Sequence, residues 1–124
     1  MAPATLKKRS EFLWVRGGRR WSAPTFVLEA RARRDEPEPG PARFGFTVSK
    51  KVGGAVQRNR IKRRFRALTA ALRADQMLPG FDYVIIARSG AIDRAFPDLR
   101  SDLDLALTRV HQPPGQKRRE GKNA

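Results

Sequence analysis

The residues able to do chemistry in this chain are overwhelmingly cations, and they are concentrated. Residues 50–73 hold nine of the 27 lysines and arginines: Lys50, Lys51, Arg58, Arg60, Lys62, Arg63, Arg64, Arg66 and Arg73. No carboxylate lies between Glu38 and Asp75 to offset them. Cations of one sign at this density are suited to holding a polyanion, because each can neutralise a phosphate and release its counterion.

The same stretch dictates the element that presents the charges. Ile61, Phe65, Leu68 and Leu72 recur at the spacing of one buried helix face. At about 100° per residue, Asn59, Arg63 and Arg66 point away from that face. Arg60 and Lys62 flank the outer side, and Arg58 and Arg64 lie nearer the core boundary. Like charges at i, i+3 and i+4 repel, and cations in a first turn oppose the helix dipole. A fold has no stability reason to collect such penalties. Gly53 and Gly54 let backbone come close and the helix start offers free N–H groups, so the arrangement favours phosphate.

Other chemistry is thinly represented. A self-sufficient catalytic centre needs an acid/base pair, a nucleophile or metal ligands. The single histidine, His111, reads as a surface residue at a helix end. Asp98, Asp102 and Asp104 fit helix capping and solvation better than a metal cluster. Gly53-Gly54 lacks the remainder of a phosphate-binding nucleotidase loop. Cysteine is absent, so there are no disulfides or thiolate metal sites. The expectation is a binding protein with no catalytic or metal-ligating side chain of its own.

Composition bounds the class. The chain has 124 residues and a formal net charge of +15, which points to nucleic acid or an anionic membrane surface. No apolar run of about 18 residues exists to span a bilayer, and the first residues lack a secretory h-region. The expected setting is the cytoplasm. The expected organisation is one domain over residues 1–111 and a disordered basic tail over 112–124.

At the start of the chain, residues 1–6 read as a loose leader. A short helix follows over 8–16, with Ser10 as its cap and Gly17-Gly18 as its stop. Trp14 and Trp21 read as core or rim. Residues 25–33 alternate as a half-exposed strand, with Phe26, Leu28, Ala30 and Ala32 on one face and Thr25, Glu29, Arg31 and Arg33 on the other. The acidic, proline-rich residues 34–42 form a loop. Residues 43–49 return as a strand with Phe44, Phe46 and Val48 inward and Gly45, Thr47 and Ser49 outward, so the two strands read as a long-looped hairpin. After the basic helix, residues 83–87 are apolar on both faces, as in a central strand. Pro97-Asp98 opens a last helix with Leu99, Leu103, Ala106, Leu107 and Val110 inside. The fold class is α+β, a two-layer sandwich of three helices and one small mixed sheet.

Two motifs carry a resemblance. The run Phe44-Gly45-Phe46-Thr47-Val48-Ser49-Lys50-Lys51-Val52-Gly53 precedes Ala55-Val56-Gln57-Arg58-Asn59-Arg60-Ile61-Lys62-Arg63. Together with Leu6-Lys7-Lys8, Glu11-Phe12, Phe26-Val27-Leu28 and residues 82–88, it resembles the signature of the bacterial ribonuclease P protein family over about residues 6–110. The resemblance implies a left-handed βαβ crossover carrying the Arg-Asn-Arg helix, an exception to the usual handedness. It implies a large catalytic RNA as partner, precursor tRNA as substrate, and magnesium-dependent removal of the 5′ leader with the metal held mainly by RNA. The protein alone is expected to be a monomer that binds neither DNA nor membrane.

By matched position, the resemblance makes Lys50, Lys51, Arg58, Asn59, Arg60, Lys62, Arg63 and Arg66 contacts to the catalytic RNA. Phe12, Arg16, Arg31, Arg33 and Phe44 become the cleft for the single-stranded leader. Arg16 and Glu29 stand where relatives often carry aromatics, so arginine–phosphate contacts replace some base stacking. Three other readings explain the sequence less well. A ribosomal protein explains the charge but not the Ser-Lys-Lys to Arg-Asn-Arg arrangement. A DNA regulator would need a second helix abutting the basic one. A membrane-surface helix would expose the apolar stripe that the core requires.

Overall fold

The computed structural model describes residues 4–33 and 40–112. The expected disorder of the tail therefore lies outside the described residues from 113 onward, as does most of the proline-rich loop. Five strands and three helices follow in the order β1 (Ala4–Thr5), α1 (Arg9–Arg16), β2 (Arg19–Ser22), β3 (Phe26–Ala32), β4 (Arg43–Thr47), α2 (Ala55–Ala70), β5 (Phe81–Ala87) and α3 (Phe96–Val110). They form one mixed sheet of order β1-β4-β5-β3-β2.

The expected pairing of β3 with β4 is corrected by this order. β5 inserts between them, antiparallel to β3 and parallel to β4. Tyr83, Val84 and Ile85 are buried on both faces of that strand, and a strand so apolar is worth most in the centre of the sheet. The long proline-rich connection allows β3 and β4 to stay apart. The parallel pair β4 and β5 is joined through α2, giving a βαβ unit that carries the basic helix.

Residues 4–6 are also corrected: they are not a loose leader. Ala4 and Thr5 add a parallel strand to β4, Leu6 N–H donates to Phe44 O at 2.8 Å, and the Leu6 side chain is buried. The short strand β2 was not foreseen either. It forms because Gly17-Gly18 ends α1 and turns the chain back along β3. A β-carbon on Gly18 would lie 2.2 Å from Ala30 O, so only glycine permits this approach.

The two sheet faces bury different helices. On the inner face, Trp21, Phe26, Leu28, Phe44, Tyr83 and Ile85 pack against Ile61, Phe65, Leu68 and Leu72 of α2 and the five foreseen residues of α3. Phe26 meets Phe65 edge-on at 5.3 Å, and Phe44 stacks on Tyr83 at 4.8 Å. Each such ring contributes about 1.5–3 kcal/mol by burial. On the outer face, a smaller cluster of Leu6, Val15 and Val84, with Phe12, Trp14 and Ile86 at its margin, holds α1.

His111, expected on the surface, is half-buried. Its Nε2 lies 2.8 Å from Tyr83 Oη and its ring meets Phe81 edge-on. Tyr83 Oη also accepts from Leu78 N–H at 2.9 Å, and burial pushes its phenol up to about 12.

Candidate nucleic-acid interface

The cationic surface is built by α2 and the turn before it. Lys50 and Lys51 lie in a 3₁₀ turn, Lys50–Val52, that abuts the start of α2. The helix opens at Gly54 without a side-chain cap and without an acid in its first turn. Lys50, Lys51, Asn59, Arg60, Arg63 and Arg66 are exposed, while Arg58 and Lys62 are half-buried. Among the described residues, no hydrogen bond or ion pair engages any of these eight side chains. Val56, 75% exposed, sits with Asn59, Lys62, Arg63 and Arg66 around a depression of about 460 Å³. This is a cationic face with an apolar point in it, open to a ligand of opposite charge.

Arg64 belongs to the same run but not to that face. Its Nη1 donates to Ala91 O at 2.6 Å and to Ile92 O at 2.7 Å, and its Nη2 donates to Arg94 O. The sequence placed it near the core boundary; the structure shows what holds it there.

The expected leader cleft is only partly assembled. Phe12 is half-buried at the edge of α1, its ring lying directly over the Gly45 backbone; a β-carbon there would come within 2.5 Å of Phe12 Cε2. Beyond it on the outer face lie Thr47, exposed, and Ile86, half-buried, opposite one another in register. Arg16 is exposed at the C-terminal end of α1. Arg31 is nearby but engaged: its guanidinium stacks 3.5 Å over the Trp14 ring and Nη1 donates to Trp14 O at 2.9 Å.

Two of the expected cleft residues are corrected. Phe44 is 1% exposed on the inner face, stacked on Tyr83. Alternation along β4 puts it opposite to Gly45 and Thr47, so it cannot reach a ligand on the outer face. Arg33 is held by Asp82 at 2.6 Å and by Pro41 O at 2.9 Å, its side chain 8% exposed. Its work is internal. Glu29 is buried and faces Arg20 at 3.5 Å.

What positions α1 is an ion-pair chain that the sequence reading did not find. Asp82, 1% exposed, accepts from Arg33 Nη1 and from both Nε and Nη2 of Arg43 at 2.8 Å. Arg43 Nη1 then donates to Glu11 Oε2 at 2.9 Å. Glu11 Oε1 accepts the N–H groups of Lys7 and Lys8, so Glu11, rather than Ser10, caps the helix. The Lys8 N–H first, and then Lys7 N–H and the Arg43 charge, hold the Glu11 carboxyl below its usual value against the opposing effect of burial. A lone aspartate inside an apolar strand was the available signal.

Among the described residues no group of three or more His, Asp or Glu side chains gathers to hold a metal ion, and no helix is long and apolar enough to cross a membrane.

The family model described as Ribonuclease P matches residues 2–111. A ribonuclease P protein component of Erythrobacter litoralis is 44% identical over 117 residues, covering 94% of this chain and 93% of that protein. One from Ruegeria pomeroyi is 45% identical over 111 residues, covering 89% and 88%. Among solved structures, the ribonuclease P protein of Thermotoga maritima superposes with a TM-score of 0.71 at 28% identity, covering 87% of this chain and 98% of that one. That of Staphylococcus aureus gives 0.71 at 27% identity, covering 86% and 94%. With the family model matching residues 2–111 and relatives 44–45% identical over most of both chains, the chain belongs to the ribonuclease P protein family.

Proposed function

We propose that this chain is the protein subunit of ribonuclease P, acting in the 5′ maturation of tRNA in the cytoplasm. Its α2 face binds a catalytic RNA, and the surface between Phe12 and the outer sheet face binds the 5′ leader of precursor tRNA. The observation that carries the reading is the set of eight side chains on α2 and its preceding turn that make no hydrogen bond or ion pair among the described residues. Seven of them are cations crowded on the helix and its preceding turn, where they repel one another in the free protein and gain most when phosphates arrive.

The reaction is hydrolysis of a phosphodiester at the junction of leader and tRNA. The chemistry that magnesium would supply to such a reaction is polarisation of a phosphate and activation of water. The donor set of this chain does not fit that ion, since no carboxylate or histidine cluster gathers among the described residues. Magnesium and the reacting atoms are assigned to the RNA subunit. The protein's part is to hold RNA and substrate together. Cations on α2 lower the repulsion between two polyanions, and the leader surface extends the grip beyond the cleavage point. Phe12 offers one stacking surface, worth about 1–3 kcal/mol per base, and Arg16 offers a phosphate contact.

The test is cleavage of a precursor tRNA by a bacterial ribonuclease P RNA at low magnesium, with and without this protein. Strong stimulation that is lost when Arg58, Asn59 and Arg60 become alanine is the expected result. A folded protein that leaves cleavage unchanged at every magnesium concentration overturns the proposal.

A further inference from the structure

Arg64 lies inside the densest part of the cationic run, yet its guanidinium is directed away from the open face. It spans three main-chain carbonyls, those of Ala91, Ile92 and Arg94, in the segment between β5 and α3. The same guanidinium lies 5.9 Å from the Phe96 ring. The segment it grips is itself fixed: Arg94 forms a two-pronged ion pair with Asp102 of α3 at 3.0 and 3.1 Å. Arg64 thereby ties this flank of α2 to the segment that Arg94 anchors on α3.

The other flank of α2 has a surface cleft beside it, where Arg66 and Ala70 are exposed and only Thr69 and Phe44 are buried. Arg66, Thr69 and Ala70 border an open cleft of about 190 Å³ against Ala4, Thr5, Phe44 and Phe46. On a helix, Thr69 and Ala70 lie well round the axis from Arg64, on the opposite flank. The apolar stripe resists lifting of α2 from the sheet but opposes rotation about the helix axis less well, because its side chains form one narrow row. A tether on one flank and a gap on the other leave Arg64 as the contact that sets the roll of the helix.

We infer that Arg64 is a positioning residue for RNA binding, a three-carbonyl clamp that fixes the direction in which Asn59, Arg60, Lys62 and Arg63 project, and does not itself contact phosphate. The inference rests on the reading of α2 as the RNA face. Arginine is required for it: the planar guanidinium presents donors to several acceptors at fixed angles, whereas an ammonium is a point donor on a flexible stem. Arg64→Lys therefore keeps the charge and loses the clamp.

The test measures binding of the full chain to a bacterial ribonuclease P RNA transcript as a function of salt. Arg64→Lys, Arg64→Ala and, for comparison, Arg63→Ala are used, each at a temperature where circular dichroism shows it folded. Loss of a phosphate contact lowers the slope of log affinity against log salt by about 0.7–0.9, which is expected of Arg63→Ala. Loss of the clamp misaligns contacts that still exist. Arg64→Lys and Arg64→Ala are both expected to lose about tenfold in affinity with the slope retained. A wild-type affinity in folded Arg64→Lys overturns the inference, as does a slope reduced by a full contact in Arg64→Ala. An Arg63→Ala variant with unchanged affinity and slope overturns the underlying RNA-face reading, which separates the two failures. Arg64→Lys keeps the test valid even if Arg64→Ala does not fold.

Discussion

Asp82 offers the most demanding test of how the fold serves the site. Its carboxylate is 1% exposed and accepts from Arg33 at 2.6 Å and twice from Arg43 at 2.8 Å. Asp82→Asn preserves shape but removes the charge between two guanidiniums. Arg33, with 8% of its side chain exposed, cannot recover the loss by hydration. Breaking one partner out of such a buried group costs about 3–5 kcal/mol, a large part of a domain's total of roughly 5–15 kcal/mol. Thermal unfolding of a domain this size shifts by roughly 4 °C per kcal/mol, so the melting temperature is expected to fall by about 12–20 °C. The damage also reaches α1, because Arg43 holds Glu11 at 2.9 Å. Glu11→Gln and Asp82→Asn are therefore expected to be non-additive, with a coupling of about 0.5–3 kcal/mol in a double-mutant cycle. A melting temperature within about 2 °C of the parent, less than the shift of a single kcal/mol, would refute the ion-pair chain as the anchor of this layer.

Three further outcomes follow from the same geometry. Gly45→Ala sets a methyl 2.5 Å from Phe12 Cε2; it is expected to displace the ring and weaken precursor tRNA affinity of the holoenzyme about tenfold, with mature tRNA affinity unchanged, and equal loss for both would count against Phe12 as a leader contact. Tyr83→Phe leaves the Leu78 N–H without its acceptor and is expected to cost about 1–3 kcal/mol in denaturant unfolding. Because the native phenol is raised to about 12, the unfolded chain releases that proton first, so the parent loses stability as pH rises above about 10 and Tyr83→Phe lacks this slope. The Glu11 carboxyl has the opposite sign. Its native value is depressed, so its contribution is present above the unfolded value near 4.5 and is lost as pH falls below it; Glu11→Gln is expected to flatten the acid limb of a stability–pH curve.

Much of this was legible in residue order. The stripe Ile61, Phe65, Leu68 and Leu72 fixed the face of α2 that is buried, and so the face on which Asn59, Arg60 and Arg63 stand exposed. Helix periodicity is local, and a one-sided charge pattern needs no partner to be read. The apolar strand ending at Ala87 and the inner stripe of α3 were equally plain, for the same reason.

What the residues could not give was which distant groups meet. Strand alternation assigns a face but not a neighbour: β3 and β4 read as a hairpin from their residues, and β5 lies between them in the sheet. Two residues, Ala4 and Thr5, are too few to show a period, yet they complete the sheet. Above all, charge type does not reveal whether a charge is spent. Arg33, Arg43 and Arg64 read as cations like Arg60 and Arg63. Only the fold brings Asp82 to the first two and three carbonyls to the third. Which face of α2 is charged was a property of the sequence; which arginines remain available to a polyanion is decided by contacts between segments far apart in the chain.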